Sequence, residues 1–119
     1  MHFGYVKLHR RIIDSEVMKD ADLLQLFVWC LCKAKWTEEE DNSGLKRGQF
    51  RTTRAWASEA LGMHPSKWYR GMRRLMEMGN ITFEANNERT TVTVCNYKSY
   101  QDENSEVEQR SNSDRTTYH

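Results

Sequence analysis

The apolar positions change period along the chain. Residues 4–16 hold Tyr5, Val6, Leu8, Ile12 and Ile13. Their spacing follows neither strand alternation nor a helical stripe cleanly, so the state of this segment stays open. Residues 15–18 read as a turn or a helix start. Asp20, followed by Asp22, suits a helix N-cap with acid at the positive end of the dipole. Leu23, Leu24, Phe27, Val28, Leu31, Cys32 and Lys35 then recur at helical spacing, and Leu26 and Trp29 widen the stripe. A helix ending near Trp36 is predicted. It is apolar over much of its circumference and therefore central.

Residues 37–43 are acidic and polar and read as a loop. Gly44 and Gly48 bracket a turn, and residues 49–52 leave room for one short strand. Thr53 is a good cap for a second helix. Ala57, Ala60 and Leu61 share one face of it, with Trp56 alongside, and Gly62 stops it. His64 sits at the next N-cap and Pro65 suits a first helical position. In this third helix Trp68, Met72, Leu75 and Met76 form the apolar stripe. Lys67, Tyr69, Arg70, Arg73, Arg74 and Glu77 point away or flank it, and Gly79-Asn80 ends it. Residues 81–84 and 90–95 read as strands joined by the polar hairpin loop 85–89. Tyr97 and Tyr100 then fold back on the core. From Asp102 onward Val107 and Tyr118 are almost the only apolar residues, so a disordered tail or linker is predicted at 102–119.

Helix, short strand, helix, tight turn, helix, strand, polar hairpin, strand is the order of a winged helix-turn-helix. The fold class is α+β: a three-helix core with a small antiparallel sheet and wing, preceded by an N-terminal extension, over residues 1–101. The turn between the second and third helices must be short, and Gly62 supplies it. Ala57 is small where those helices cross, and Trp68 plugs the third helix into the core. The four tryptophans, Trp29, Trp36, Trp56 and Trp68, are expected to pack around the first helix.

The charge refines this picture. The 119 residues carry a net charge of +1. Residues 1–43 hold six Lys/Arg against eight Asp/Glu, residues 44–80 eight against two, and residues 81–119 four against seven. A strongly basic middle in a near-neutral chain is a candidate polyanion site, or else a solvated helix face. On the third helix, Ser66, Lys67, Tyr69, Arg70 and Arg73 are the candidates to reach base edges and phosphates in a major groove, and Arg74 is a flanking phosphate contact. Thr53 and Arg54 open the second helix, whose terminal amides favour a phosphate. Asn86, Asn87 and Arg89 tip the wing and suit a minor groove or the DNA backbone. The competing readings are an Arg73–Glu77 helix pair, Tyr69 as core, and a wing made acidic by Glu84 and Glu88. Winged helices also serve as protein-association modules or transcriptional regulators. The apolar N-terminal segment either covers one side of the domain or pairs with a second copy.

Other chemistry is mostly excluded. The strongest apolar run, residues 23–32, is about half of the ~20 residues a membrane span needs. The N-terminus has no basic-then-apolar signal region, so a cytoplasmic protein is expected. Cys30, Cys32 and Cys95 are too few for a disulfide framework. The first two point about 200° apart on a helix and read as buried thiols rather than a metal pair. The histidines have no ligand spacing, and His64 has a capping role. With no phosphate loop, nucleophile elbow or paired carboxylates, neither an enzyme nor a cofactor is expected.

Several stretches also resemble a known family: residues 4–10 (GYVKLHR), 14–17 (DSEV), 45–50 (LKRGQF) and 96–101 (NYKSYQ). They look like the N-terminal domain of phage replisome organizers and DnaD-like replication initiation proteins. The resemblance spans residues 3–101, and the Asn-aromatic-x-x-Tyr-Gln motif is its most specific part. It implies a winged-helix domain that binds double-stranded DNA or self-associates in replication initiation, with replication proteins such as a helicase or helicase loader as partners. In that family a linker and a second domain follow, and residues 109–117 resemble the start of such a linker.

Overall fold

The computed structural model describes residues 4–102. The tail expected beyond them lies outside the described residues. Over these residues the chain is α+β, with four α-helices and a small three-stranded antiparallel sheet, an arrangement compatible with a winged helix.

Residues 4–9 run without regular structure into two 3₁₀ turns, Arg10–Asp14 and Glu16–Lys19. Helix α1 is Ala21–Lys33, and the Asp20 carboxylate accepts from the Asp22 and Leu23 N–H groups at 3.0 and 3.2 Å. Strand β1 (Gln49–Thr52) leads into α2 (Arg54–Leu61) and α3 (Pro65–Glu77). Strands β2 (Ile81–Ala85) and β3 (Thr90–Val94) form the hairpin, and α4 (Tyr97–Asp102) closes the described chain. The sheet order is β1-β3-β2. Phe50 and Phe83 lie on either side of Val92, and Ile81 opposite Val94. Alternation puts Thr90, Val92 and Val94 inward along the central strand.

The core joins α1, α3 and the sheet. Trp68, Leu26, Leu31, Met72, Leu75, Ile81 and Val92 are fully buried there. Trp29 packs edge-on against Phe50 at 5.2 Å and Trp68 at 6.5 Å. Gly71 sets how α1 and α3 cross. A Cβ there would fall 2.2 Å from Leu26 Cδ1, so only glycine lets Leu26 lie against the α3 backbone.

That contact rotates α1 relative to the expected stripe. Its buried face is Leu23, Leu26, Phe27, Cys30 and Leu31; Val28 and Cys32 face outward. Cys32 is therefore not the buried thiol expected. Cys30 is, and burial pushes its thiol up. The helix ends at Lys33 rather than near Trp36. Lys35 is drawn into the loop instead: its ammonium bonds the Leu45 carbonyl at 3.1 Å and pairs with Asp41 at 3.5 Å.

Trp36 and Trp56 are 71% and 66% exposed, against the expectation that they pack around α1. The backbone of Lys35 bonds Gln49 and Gly48 beside β1, which turns its neighbour Trp36 outward. On α2 the buried pair is Ala57 and Ser58, and Trp56 lies across the helix from them. Ala60 is exposed too. Ser58 takes the buried place and satisfies its hydroxyl on the Arg54 carbonyl at 2.6 Å.

Helix α4 ties both ends together. The Gln101 amide bonds the Lys7 N–H and carbonyl at 2.8 and 3.0 Å, and the Tyr100 hydroxyl accepts from the His9 N–H at 2.6 Å. Arg47 forks onto Asp102 at 2.6 and 2.8 Å, donates to the Trp36 carbonyl and lies 5.6 Å over the Tyr97 ring. Asp102 thus belongs to the folded unit, one residue past the boundary expected from the sequence.

Those hydrogen bonds from Arg47 hold the Asp102 carboxyl below its usual range. A carboxyl depressed by folding stabilises the native state above its unfolded pKa of about 3.9, and that gain is lost as pH falls through the lower folded value. Asp102→Asn is therefore expected to lower the melting temperature at pH 7, and the gap should narrow below about pH 4. Thermal melts of both chains from neutral pH to about pH 2.5 check it. A constant gap would mean the carboxylate charge is not what stabilises the clamp.

Candidate nucleic-acid interface

Two short turns position α3. Thr53 caps α2 by accepting from the Trp56 N–H at 3.0 Å. Gly62, at φ 66°, ends α2 in the left-handed region, and Met63 and Gly62 donate back to the Ser58 and Glu59 carbonyls. His64 Nδ1 then accepts from the Ser66 N–H at 3.1 Å, and Pro65 enters α3. Three residues thus separate α2 from α3. Asn80 and Gly79 close α3 with the same pair of bonds, to Leu75 and Met76.

At about 100° per residue, Trp68, Met72 and Leu75 fall on the buried side of α3. Ser66, Arg70, Arg73 and Glu77 fall opposite and are exposed. Arg70 and Arg73 make no ion pair among the described residues. The competing Arg73–Glu77 pair is not formed: Glu77 lies 4.0 Å from Arg74 instead. Lys67, on the flank, pairs with Asp22 of α1 at 3.1 Å. Arg47, Lys67 and Arg74 are thus paired with carboxylates. Lys46, Arg51, Arg54, Arg70 and Arg73 are not, among the described residues.

Beside this face lies an open cleft of about 370 Å³ where the start of α2, one flank of α3 and the hairpin tip meet. It gathers Thr53, Arg54, Tyr69, Asn86, Asn87 and Arg89 from three separate stretches of sequence. The Arg54 guanidinium lies 4.5 Å over the Tyr69 ring, whose edge contact with Phe83 is 6.1 Å. Tyr69 is half-buried, so the core reading and the surface reading both describe part of it. Phe83 fixes the ring from a strand position that carries no charge or polar signal of its own. Strand alternation with Ile81 is the signal that marks it.

The hairpin tip is built by Asn86. Its side-chain oxygen accepts from the Glu88 and Arg89 N–H groups at 2.8 and 2.7 Å, and its own N–H bonds the Arg89 carbonyl. That oxygen is committed to the turn, while Asn87 and Arg89 are exposed. Glu84 and Glu88 are exposed on the same hairpin.

No protein-family model, curated protein or solved structure matches this chain. Among the described residues no group of three or more His, Cys, Asp or Glu is gathered in a way that would hold a metal ion. No described helix is long and apolar enough to cross a membrane.

Proposed function

We propose that this chain is a winged helix-turn-helix protein that binds double-stranded DNA, with α3 as the helix laid in the major groove. The observation that carries the reading is the outward face of α3, where Arg70 and Arg73 have no carboxylate partner among the described residues. They stand opposite a buried Trp68–Met72–Leu75 face that fixes the helix. The start of α2 and the hairpin tip border it with Arg54 and Arg89, within reach of flanking phosphates. Arg70 and Arg73 suit guanine edges or phosphates, Ser66 a base edge, and the uncapped amides that open α2 a phosphate. Lys67 and Arg74 contribute by exchanging their carboxylates for phosphates. The resemblance of residues 3–101 directs this activity to replication initiation in a phage or bacterium, with a helicase or its loader as a further partner.

A second reading, self-association, rests on the N-terminal segment. Tyr5 and Ile13 are 88% and 68% exposed there, and Leu8 and Met18 are exposed beside them. A second copy of the chain would cover these side chains.

One experiment separates the two. A labelled duplex of about two helical turns is titrated with the chain at several salt concentrations, with light scattering on the same samples. DNA binding predicts an affinity whose logarithm falls linearly with that of salt, by about 0.9 for each phosphate neutralised. With Arg54, Arg70, Arg73 and Arg89 engaged, the slope is roughly −3 to −4. No binding at about 50 mM salt overturns it. A concentration-dependent dimer without DNA binding then favours the second reading.

A further inference from the structure

Two clefts meet at the hairpin tip. Thr53, Glu88 and Arg89 line the cleft described above and also a larger one of about 740 Å³, which α3 does not reach. Trp56, Lys33, Arg51 and Phe50 contribute to this second cleft. Its chemistry differs from that of the α3 face. Trp56 presents a largely exposed indole from the first turn of α2. Lys33, Arg51 and Arg89 line the same cleft, and none has a carboxylate partner among the described residues. Arg51 is held in place by a hydrogen bond to the Ser43 carbonyl, which leaves its charge uncompensated. Among the described residues, Glu88 is the one acid in the lining.

An occupant complementary to this cleft must bring a flat π-face and negative charge together. An intact duplex does not: along its length the base faces are stacked on one another, and only base edges, sugars and phosphates are presented. An unpaired nucleotide does, because every base has a face that stacks on an indole and carries its phosphate beside it. The two clefts share Thr53, Glu88 and Arg89 in their linings, which makes them neighbours on the surface and lets one strand serve both. We infer that the Trp56 cleft takes single-stranded DNA next to a duplex, stacking one base on Trp56 with its phosphates against Lys33, Arg51 and Arg89. This rests on the duplex-binding reading and adds to it the form of DNA preferred: a duplex that opens into a single strand.

The test uses the full chain with three probes: a blunt duplex, the same duplex with an oligo-dT tail of about ten nucleotides, a length within the site sizes of single-strand binders, and the oligo-dT strand alone. The tailed duplex is expected to bind about tenfold tighter than the blunt one, within the range of one base stacked on an aromatic side chain. Trp56→Ala should remove that ratio and leave the blunt affinity unchanged, while Trp56→Phe should keep part of it. Equal affinity of the unaltered chain for tailed and blunt duplexes overturns the inference, as does a preference that survives Trp56→Ala. A second readout needs no alanine variant. In a Trp36→Phe background, tailed but not blunt duplex should quench the tryptophan fluorescence, and no quenching overturns the inference. The blunt duplex reports separately on the preceding reading. If it fails to bind, that reading falls and the oligo-dT strand decides this cleft: binding lost in Trp56→Ala retains it, and no binding, or binding that survives Trp56→Ala, overturns it.

Discussion

A chain ending at Asn96 is expected to lose cooperative folding, whereas one ending at Asp102 should melt within about two degrees of the full chain, about a quarter to half a kcal/mol for a domain of this size. The difference lies in what six residues bury. Tyr97 is 4% exposed and sits so close to Gly48 that a Cβ there would come within 2.9 Å of the tyrosine Cβ. Removing an aromatic from such a site costs on the order of 3–5 kcal/mol. Tyr100 adds an edge contact to Phe27 at 6.4 Å and the hydrogen bond from His9, and Gln101 holds Lys7 by two bonds. Arg47 would also lose both Asp102 and the Tyr97 ring. Total stabilities of about 5–15 kcal/mol leave little after such a loss. Thermal melts by circular dichroism on the three lengths decide it. If the chain ending at Asp102 melts well below the full chain, the folded unit extends past α4.

Features set by neighbouring residues were legible in the sequence. Asp20, Thr53 and His64 each cap the helix they precede, because a short polar side chain at that place reaches N–H groups two or three residues on. Gly62 ends α2 because the turn needs a positive φ. The Gly44–Gly48 turn and the polar loop 85–89 bracketed the strands. The inner face of α1 was not legible, since a helix apolar nearly all round offers several stripes of equal merit. Gly71, a residue of the partner helix, decides among them by admitting Leu26. The outward turn of Trp36 likewise depends on the bonds its neighbour Lys35 makes beside β1, and that of Trp56 on which face of α2 is buried, not on residue type.

The candidate interface divides the same way. Helical period alone puts Ser66, Arg70 and Arg73 together. Period does not say which cations are spent inside the molecule. Lys67 is joined to Asp22 across two helices, and Arg47 to Asp102 across half the sequence. The two clefts beside the hairpin arise only once β1, α2 and the hairpin are set side by side, so Trp56 and Arg89 carry no joint signal in the sequence.

Replacing Arg70 and Arg73 together by alanine is expected to weaken duplex binding at least thirtyfold at moderate salt. Each arginine contact to a base edge is worth roughly 1–3 kcal/mol, and each phosphate contact contributes about one to the salt slope. If both touch phosphates, the slope should shrink by about two. If both read bases, the loss should instead be largest on the preferred sequence and leave the slope nearly unchanged. The helix itself should be unharmed. Both side chains are exposed, neither is paired with a carboxylate among the described residues, and alanine is the better helix former. Lys67→Ala is the useful contrast, because its ammonium already has Asp22. Binding DNA with Lys67 means giving up that exposed pair, so its net gain is smaller, and its loss should cost less than either arginine. Unchanged affinity of the double variant at low salt, with an unaltered circular dichroism spectrum, would remove α3 as the DNA-binding helix. An equal loss from Lys67→Ala and from the arginines would mean that total charge, rather than this face, holds the duplex.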